Sequence, residues 1–257
     1  MGRVYDVSRP RHRAAVALLA VAALCAWGAQ ALHRQVMADR LLRVFPDRVP
    51  ADAALAKFAR DQAAPLYRKY CSSCHGDNLK GDRARGIPDL TDRDWLYGSG
   101  EVSDIERIVL YGIRSGVGKG WNLADMPAYA HNIPYRRFAI EPLTPGDIQD
   151  TVEYLRAIEG RSAEKDAAAR GAKIFQGRGA CFDCHGADAR GDTAIGAPNL
   201  ADDLWLYGDG SRESVFESIA RGHQGSCPSW FRRLPAWKAR ALAVYVYDAS
   251  HPSRGPG

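Results

Sequence analysis

The chain has 257 residues, enough for one or two modest domains that each bury a core. Its net charge of +5 lies entirely in residues 1–43, which hold seven arginines against two aspartates, whereas residues 44–257 carry 28 basic and 28 acidic residues. Because a nucleic-acid-binding domain needs a basic face on its folded part, this balance argues against a nucleic-acid partner.

The first predicted element is an apolar helix near the N-terminus. Residues 14–32 are apolar apart from Gln30 and follow four arginines. About 20 apolar residues span a bilayer, and preceding basic residues favour the cytoplasm. We expect a cytoplasmic N-terminus over 1–13, a transmembrane anchor over 14–32 and a linker over 33–51, with the rest in the periplasm of a bacterium.

A cleaved signal peptide is the alternative to this anchor. Ala29-Gln30-Ala31 has the small-x-small form of a cleavage site, and the charged start also fits a signal. In either case, everything after about residue 33 is exported.

An internal repeat organises the exported part. Residues 71–100 and 181–210 align without gaps and are identical at 16 of 30 positions. The same offset continues to Gly112 and Gly222, a spacing that predicts a short helix ending at glycine. Further helices are predicted over 52–70, 163–180 and 234–248 and from Thr144-Pro145-Gly146-Asp147 onward. With no strand alternation, the sequence predicts two all-α domains in tandem, over 52–160 and 161–250, and a tail over 251–257.

Each repeat opens with C-x-x-C-H. Two cysteines three apart on one helical turn can bond to the vinyl groups of a haem, and the adjacent histidine then reaches the iron. Zinc or a redox dithiol is the alternative, but a redox dithiol needs a βαβ context that is missing here. The predicted attachment residues are Cys71, Cys74 and His75 in the first copy and Cys181, Cys184 and His185 in the second.

The chain resembles class I c-type cytochromes, and more narrowly the di-haem cytochrome subunit of cbb-type cytochrome c oxidases. The residues that carry the resemblance are CSSCHG, CFDCHG, GIPDL, GAPNL, the two WLYG tetrads and MPAY. It implies two covalently attached haem c groups, each with its proximal histidine oriented by a backbone carbonyl, at Pro88 or Pro198. We expect the tetrad aromatics to pack the haem edges rather than route electrons: Trp95, Tyr97, Trp205 and Tyr207.

The candidates for the sixth iron ligand differ between the two repeats. Of three methionines, only Met126 occupies the expected loop, so we expect it to ligate the first haem; the alternative is a core methionine with His131 as ligand. The second copy has Cys227 in the place of Met126. For the second haem, Cys227, His223 and an open position therefore remain possible.

The expected function is single-electron transfer by a membrane-tethered carrier without catalytic residues. Its partner would be a terminal oxidase, a dehydrogenase or another cytochrome. Thioether ligation favours reduced iron and thiolate ligation favours oxidised iron, so electrons should reside on the first haem. Two enzyme-like alternatives are a sulfur-compound-oxidising haem enzyme using Cys227, and a haem sensor or peroxidase with an open distal position.

Overall fold

The structure, a computed structural model, describes residues 10–131, 133–134, 139–161 and 163–251. Two two-residue strands, β1 (Ile133–Pro134) and β2 (Ala139–Ile140), form an antiparallel pair. The helices in this part of the chain are α1 (Pro10–Arg43), α2 (Ala53–Tyr70), α3 (Ser72–His75), α4 (Val102–Tyr111), α5 (Pro145–Ile158), α6 (Lys165–Gln176), α7 (Phe182–His185), α8 (Arg212–Arg221) and α9 (Ala236–Ser250), with 3₁₀ segments at Pro46–Ala51 and Arg83–Arg85. The predicted all-α class is confirmed.

α1 is one unbroken helix that is long and apolar enough to cross a membrane, with its most apolar part outside any core. At about 1.5 Å per residue, the apolar run over 14–32 is about 28 Å long, close to the hydrocarbon thickness of a bilayer. Its last turns are different, because Ala38 and Leu41 are buried. The linker expected over 33–51 is therefore mostly helical, and its end belongs to the folded domain.

The first hydrophobic core, here core A, lies between α2, α4, α9 and the end of α1. α2 begins at Asp52, whose carboxylate accepts a hydrogen bond from the Leu55 N–H at 3.1 Å. The buried members of core A include Leu41, Val49, Leu55, Ala63, Tyr67, Val102, Ile105, Leu242 and Val244. Burial of these side chains holds α1 to the first C-x-x-C-H segment.

The second hydrophobic core, core B, lies between α5, α6 and α8. α5 begins with the predicted capping box, in which Thr144 and Asp147 each accept a hydrogen bond from the other's backbone N–H. The buried members are Tyr129, Leu143, Ile148, Val152, Leu155, Ile174, Phe175, Ala189, Val215 and Ile219. This core holds the second C-x-x-C-H segment.

The two cores do not follow the predicted domains 52–160 and 161–250. α5 lies in the first predicted domain but packs on α6, and α9 lies in the second but packs on α2. Each core thus combines the first half of one repeat with the second half of the other. Only residues 159–164 join α5 to α6, and so short a connection favours packing of adjacent helices. The boundary near residue 160 is therefore a turn inside core B.

Candidate haem-binding sites

The first C-x-x-C-H segment forms one tight turn at the end of α2. The Cys71 N–H donates to the Tyr67 carbonyl at 2.8 Å, and the Cys71 carbonyl accepts from the His75 N–H at 2.9 Å. The buried Tyr67 hydroxyl donates to the Gly76 carbonyl at 2.7 Å. The turn that brings Cys71, Cys74 and His75 together is thus fixed to α2 at both ends.

The second segment repeats this turn. The Cys181 carbonyl accepts from the His185 N–H at 3.0 Å. The Gly191 N–H then donates to the His185 carbonyl at 2.8 Å, as the Gly81 N–H does to His75 at 3.0 Å. Two equal turns mean that the chain presents the same thiol–thiol–imidazole set twice.

A proline carbonyl orients each histidine ring. His75 Nδ1 lies 3.4 Å from the Pro88 oxygen, and His185 Nδ1 lies 3.0 Å from the Pro198 oxygen. The arrangement implied by the family resemblance is therefore present in both copies. Burial lowers the pKa of both imidazoles, which favours the neutral ring. With Nδ1 donating to a carbonyl, Nε2 is left as the nitrogen that can bind a metal.

The residues present fit a covalently attached haem at both turns. All six cysteines are free, and burial raises the pKa of Cys71 to about 12 and of Cys181 to about 11, so these thiols are uncharged. In the described part of the chain, no three His, Cys, Asp or Glu side chains are placed to hold a metal ion. Trp121 Nε1 and His223 Nε2 are buried without a hydrogen-bond partner there, as expected where a bound group completes a site.

The Met126 loop, residues 125–130, lies against the second turn. Met126 packs on core B, as does Cys181. The side chains of Tyr129 and Cys181 are hydrogen-bonded to each other. Burial, followed by nearby carboxylates that include Asp125, raises the pKa of Cys184. The Met126 loop therefore lies beside the second C-x-x-C-H segment, with Tyr129 in direct contact with Cys181.

The Cys227 loop, residues 227–231, lies against the first turn. Burial raises the pKa of Cys227 to about 11, and the neighbouring Cys74 thiol adds to the rise. Cys227 in turn contributes to the raised pKa of Cys71. The Trp230 ring packs at a tilt against Tyr70, the residue directly before Cys71, with ring centroids 4.7 Å apart. The Cys227 loop thus faces the first segment.

The sequence predicts that Met126 serves the site of His75 and that Cys227 or His223 serves the site of His185. The structure places the Met126 loop beside the second turn and the Cys227 loop beside the first. The two other histidine candidates also lie differently: His131 is exposed, and the His223 ring stacks on Tyr207 at 3.5 Å between centroids. The His223 backbone pairs with that of Met126, so its segment borders the second site.

The tetrad aromatics divide into two pairs. Trp95 packs on core A and Trp205 on core B, where its Nε1 donates to Glu159 at 2.9 Å. The two tyrosines cross between the cores: a Cβ on Gly196 would overlap the Tyr97 ring, and one on Gly86 would overlap the Tyr207 ring. These contacts join the two sites.

Arg114 is a residue that sequence reasoning missed. Its guanidinium donates to the Gly225 carbonyl and, at 2.6 Å, to the Ala124 carbonyl. These carbonyls lie two residues before Cys227 and Met126, so one side chain holds both loops. The only sequence signal is its place two residues after Gly112, which does not reveal either contact.

The comparison with known proteins also finds two similar regions in the chain. A family model described as cytochrome c oxidase, cbb3-type, subunit III matches residues 59–155 and again residues 166–246. The cbb3-type cytochrome c oxidase subunit CcoP of Rhodobacter capsulatus is 34% identical over 218 residues, covering 82% of this chain and 69% of its own length. Subunit FixP of Bradyrhizobium sp. is 36% identical over 202 residues, covering 78% and 64%. The chain thus spans about two thirds of the length of these relatives.

Proposed function

Because the chain belongs to the family of cbb3-type cytochrome c oxidase subunit III, we propose that it is a membrane-anchored carrier with two covalently attached haem c groups. It would pass single electrons to a terminal oxidase. The observation that carries the proposal is the repeated turn, in which two free thiols adjoin an imidazole held by a proline carbonyl. Each turn thereby offers two attachment points and one iron ligand.

The protein's own residues would bind and orient the group rather than react. The bound haem supplies the one-electron iron couple. Cys71, Cys74, Cys181 and Cys184 would hold the group, and each histidine presents Nε2 because its Nδ1 is engaged. The Met126 and Cys227 loops would shield the bound group from water. No proton transfer or nucleophile is required, so none of these residues is catalytic.

We further propose that α1 stays attached and holds the folded part in the periplasm. Supporting this, α1 runs unbroken from Pro10 to Arg43 and its last turns are buried in core A. Arg240 of α9 donates to the Leu41 and Val44 carbonyls at 3.0 and 2.9 Å. Cleavage after Ala31 would leave this docked end without its membrane segment.

Intact mass and haem staining of the purified chain test the proposal. The unaltered chain should carry two haems, and replacing both cysteines of either turn by alanine should leave one. Zero haems, or one haem in the unaltered chain, would contradict it. Reduction of the haems by thiosulfate would favour a sulfur-oxidising enzyme, and rapid carbon monoxide binding to the reduced protein would favour an open distal position.

A further inference from the structure

We propose that a basic and aromatic surface beside the first C-x-x-C-H turn docks an acidic, soluble redox protein that delivers electrons to the haem attached there. This surface, here called the basic strip, consists of four aromatic residues and four cations: Tyr70, Tyr111, Trp230 and Phe231, with Lys69, Lys119, Arg232 and Arg233. The proposal rests on the proposed function, because it names the partner of the first haem.

The aromatic rings of the basic strip form one continuous row. The ring centroids of Tyr70 and Trp230 are 4.7 Å apart, and those of Tyr111 and Phe231 are 5.3 Å apart. The N–H groups of Trp230 and Phe231 donate to carbonyls near the end of α4 at 3.1 and 2.8 Å, which fixes the row to core A. Phe231 nevertheless stays 42% exposed. A rigid, exposed aromatic side chain is the kind of anchor on which protein interfaces depend.

Each ring of the row lies under a cation. The distances from the cation to the ring centroid are 5.1 Å for Lys69 over Tyr70, 5.6 Å for Lys119 over Tyr111, 5.4 Å for Arg232 over Phe231 and 4.2 Å for Arg233 over Trp230. All four cations are exposed, and within the described ranges none of them forms an ion pair with a carboxylate. Their charge is therefore available to a partner that brings carboxylates of its own.

The basic strip borders the first attachment turn. Tyr70 directly precedes Cys71, and Trp230 belongs to the loop of Cys227, which lies close enough to Cys71 and Cys74 to contribute to the pKa of each other's thiols. The Cys74 side chain is exposed at this edge. A protein docked on the strip would therefore lie beside the first haem.

The surroundings of the two turns have opposite charge. α2 together with residues 227–251 carries eight basic and two acidic residues, whereas residues 177–222, which contain the second turn, carry four basic and eight acidic residues. Burial and then the charges of Asp183, Asp192 and Asp125 raise the pKa of Cys184 at the second turn. The balanced charge of residues 44–257 thus conceals a separation of charge, which would attract an acidic partner to the first turn and repel it from the second.

α2 separates the basic strip from the membrane helix. Asp52, just before α2, forms an ion pair with Arg40 of α1 at 2.6 Å, whereas Tyr70 is the last residue of α2. A helix of 18 residues is about 27 Å long, so most of that length lies between the end of α1 and the strip. This separation favours a soluble partner over the surface of the bilayer.

One electron moves in each encounter. The reduced cofactor of the partner loses the electron and the oxidised haem iron gains it, so no bond breaks and no proton is needed. Attraction between opposite charges raises the rate of encounter by about 10- to 1000-fold at low ionic strength. Salt screens this attraction, because the Debye length is only about 10 Å at 0.1 M.

Chemical footprinting tests the docking surface on the unaltered full-length protein. The probe is oxidised flavodoxin, a small acidic flavoprotein, and the reagent is an ester that acetylates exposed lysines. With flavodoxin at about twice its dissociation constant, acetylation of Lys69 and Lys119 should slow about threefold. Lys165, exposed on α6, is the control and should react at an unchanged rate. Equal protection of all three lysines, or none, would overturn the proposal.

The same lysines distinguish a soluble partner from a bilayer. In phosphatidylglycerol vesicles and in phosphatidylcholine vesicles, Lys69 and Lys119 should be acetylated at the same rate relative to Lys165. Protection of Lys69 and Lys119 only in the anionic phosphatidylglycerol vesicles would assign the strip to lipid and overturn the proposal.

Reduction kinetics test where the electron enters. At low ionic strength, reduced flavodoxin should reduce the haems of Lys69→Glu/Arg233→Glu about tenfold more slowly than those of the unaltered protein, and high salt should remove the difference. The control, Lys165→Glu/Lys173→Glu, changes the net charge equally at exposed positions of α6 and should keep the original rate. The cation hexaammineruthenium(II) should reduce the charge-reversed variant at least as fast as the unaltered protein, because the repulsion is lost.

Equal flavodoxin rates in the two double variants would overturn the proposal. If the charge-reversed variant fails to fold, the footprint on the unaltered protein decides instead. Failure of the proposed function gives a different result: the unaltered chain then carries no haem absorbance, whereas the lysine footprint needs no haem.

Discussion

Arg240→Met tests whether one buried cation joins the membrane helix to the first site. The Arg240 guanidinium donates to Glu106 at 2.6 Å and to the Leu41 and Val44 carbonyls at the end of α1. The two side chains are only 12% and 10% exposed. Methionine has an unbranched apolar stem, so the substitution removes the charge and the donors while retaining most of the packing.

The expected loss of stability comes from the Glu106 carboxylate, which stays buried without its partner. Removing one partner of a buried ion pair costs about 3–5 kcal/mol, because the other charge stays buried alone. At about 2–4 °C for each kcal/mol in a protein of this size, Tm should fall by about 6–20 °C. Burial raises the pKa of Glu106 while Arg240 opposes the rise, so the pKa should increase further in the variant. A raised pKa means that the folded variant binds a proton at Glu106 more tightly than the unfolded chain does. The loss of stability in Arg240→Met should therefore shrink as pH falls through the raised pKa of Glu106.

Denaturant and thermal unfolding of the detergent-solubilised chain, monitored by circular dichroism, provide the measurement. Arg240→Met combined with Glu106→Leu should recover most of the lost stability, since both charges are then gone. A loss below about 1 kcal/mol for the single variant, or a double variant less stable than the single one, would refute the reasoning.

Three further variants test the joint between the cores. Arg114→Gln should perturb the ligand-field spectra of both haems, because the Met126 and Cys227 loops both lose a hydrogen-bond donor. The control, Arg190→Gln at an exposed position, should change neither spectrum. An effect of Arg114→Gln at one haem only would contradict this. Gly171→Ala should lower stability by about 1–3 kcal/mol because its Cβ would overlap α5, whereas Gly146→Ala, whose Cβ would make only an ordinary contact with Thr144, should not destabilise. Equal effects would argue against close α5–α6 packing. A hydrogen bond from Arg212 lowers the pKa of Glu153. The Glu153 carboxylate therefore stabilises the folded state above the unfolded pKa of about 4.3, and this stabilisation is lost as pH falls through the folded pKa. Glu153→Gln should therefore lower Tm at neutral pH and leave it unchanged in acid; a pH-independent difference would contradict this.

Local signals predicted the elements well. Thr144 and Asp147 mark the start of α5, Asp52 the start of α2, and Gly112 and Gly222 the ends of α4 and α8, as the capping patterns indicate. These features depend on a few adjacent residues and therefore survive any change of partner. The burial of Leu41 in the segment 33–51 was not predicted, because no local signal marks it and it depends on α9.

The sequence by itself determined the apolar N-terminal helix, the two C-x-x-C-H turns and the all-α class, since each depends on residues close along the chain. Only the tertiary structure decided that α5 packs on α6 and that α9 packs on α2. Two ion pairs across long sequence separations accompany this packing: Glu153 of α5 meets Arg212 of α8, and Arg240 of α9 meets Glu106 of α4. That choice brings Met126 to the second turn and Cys227 to the first.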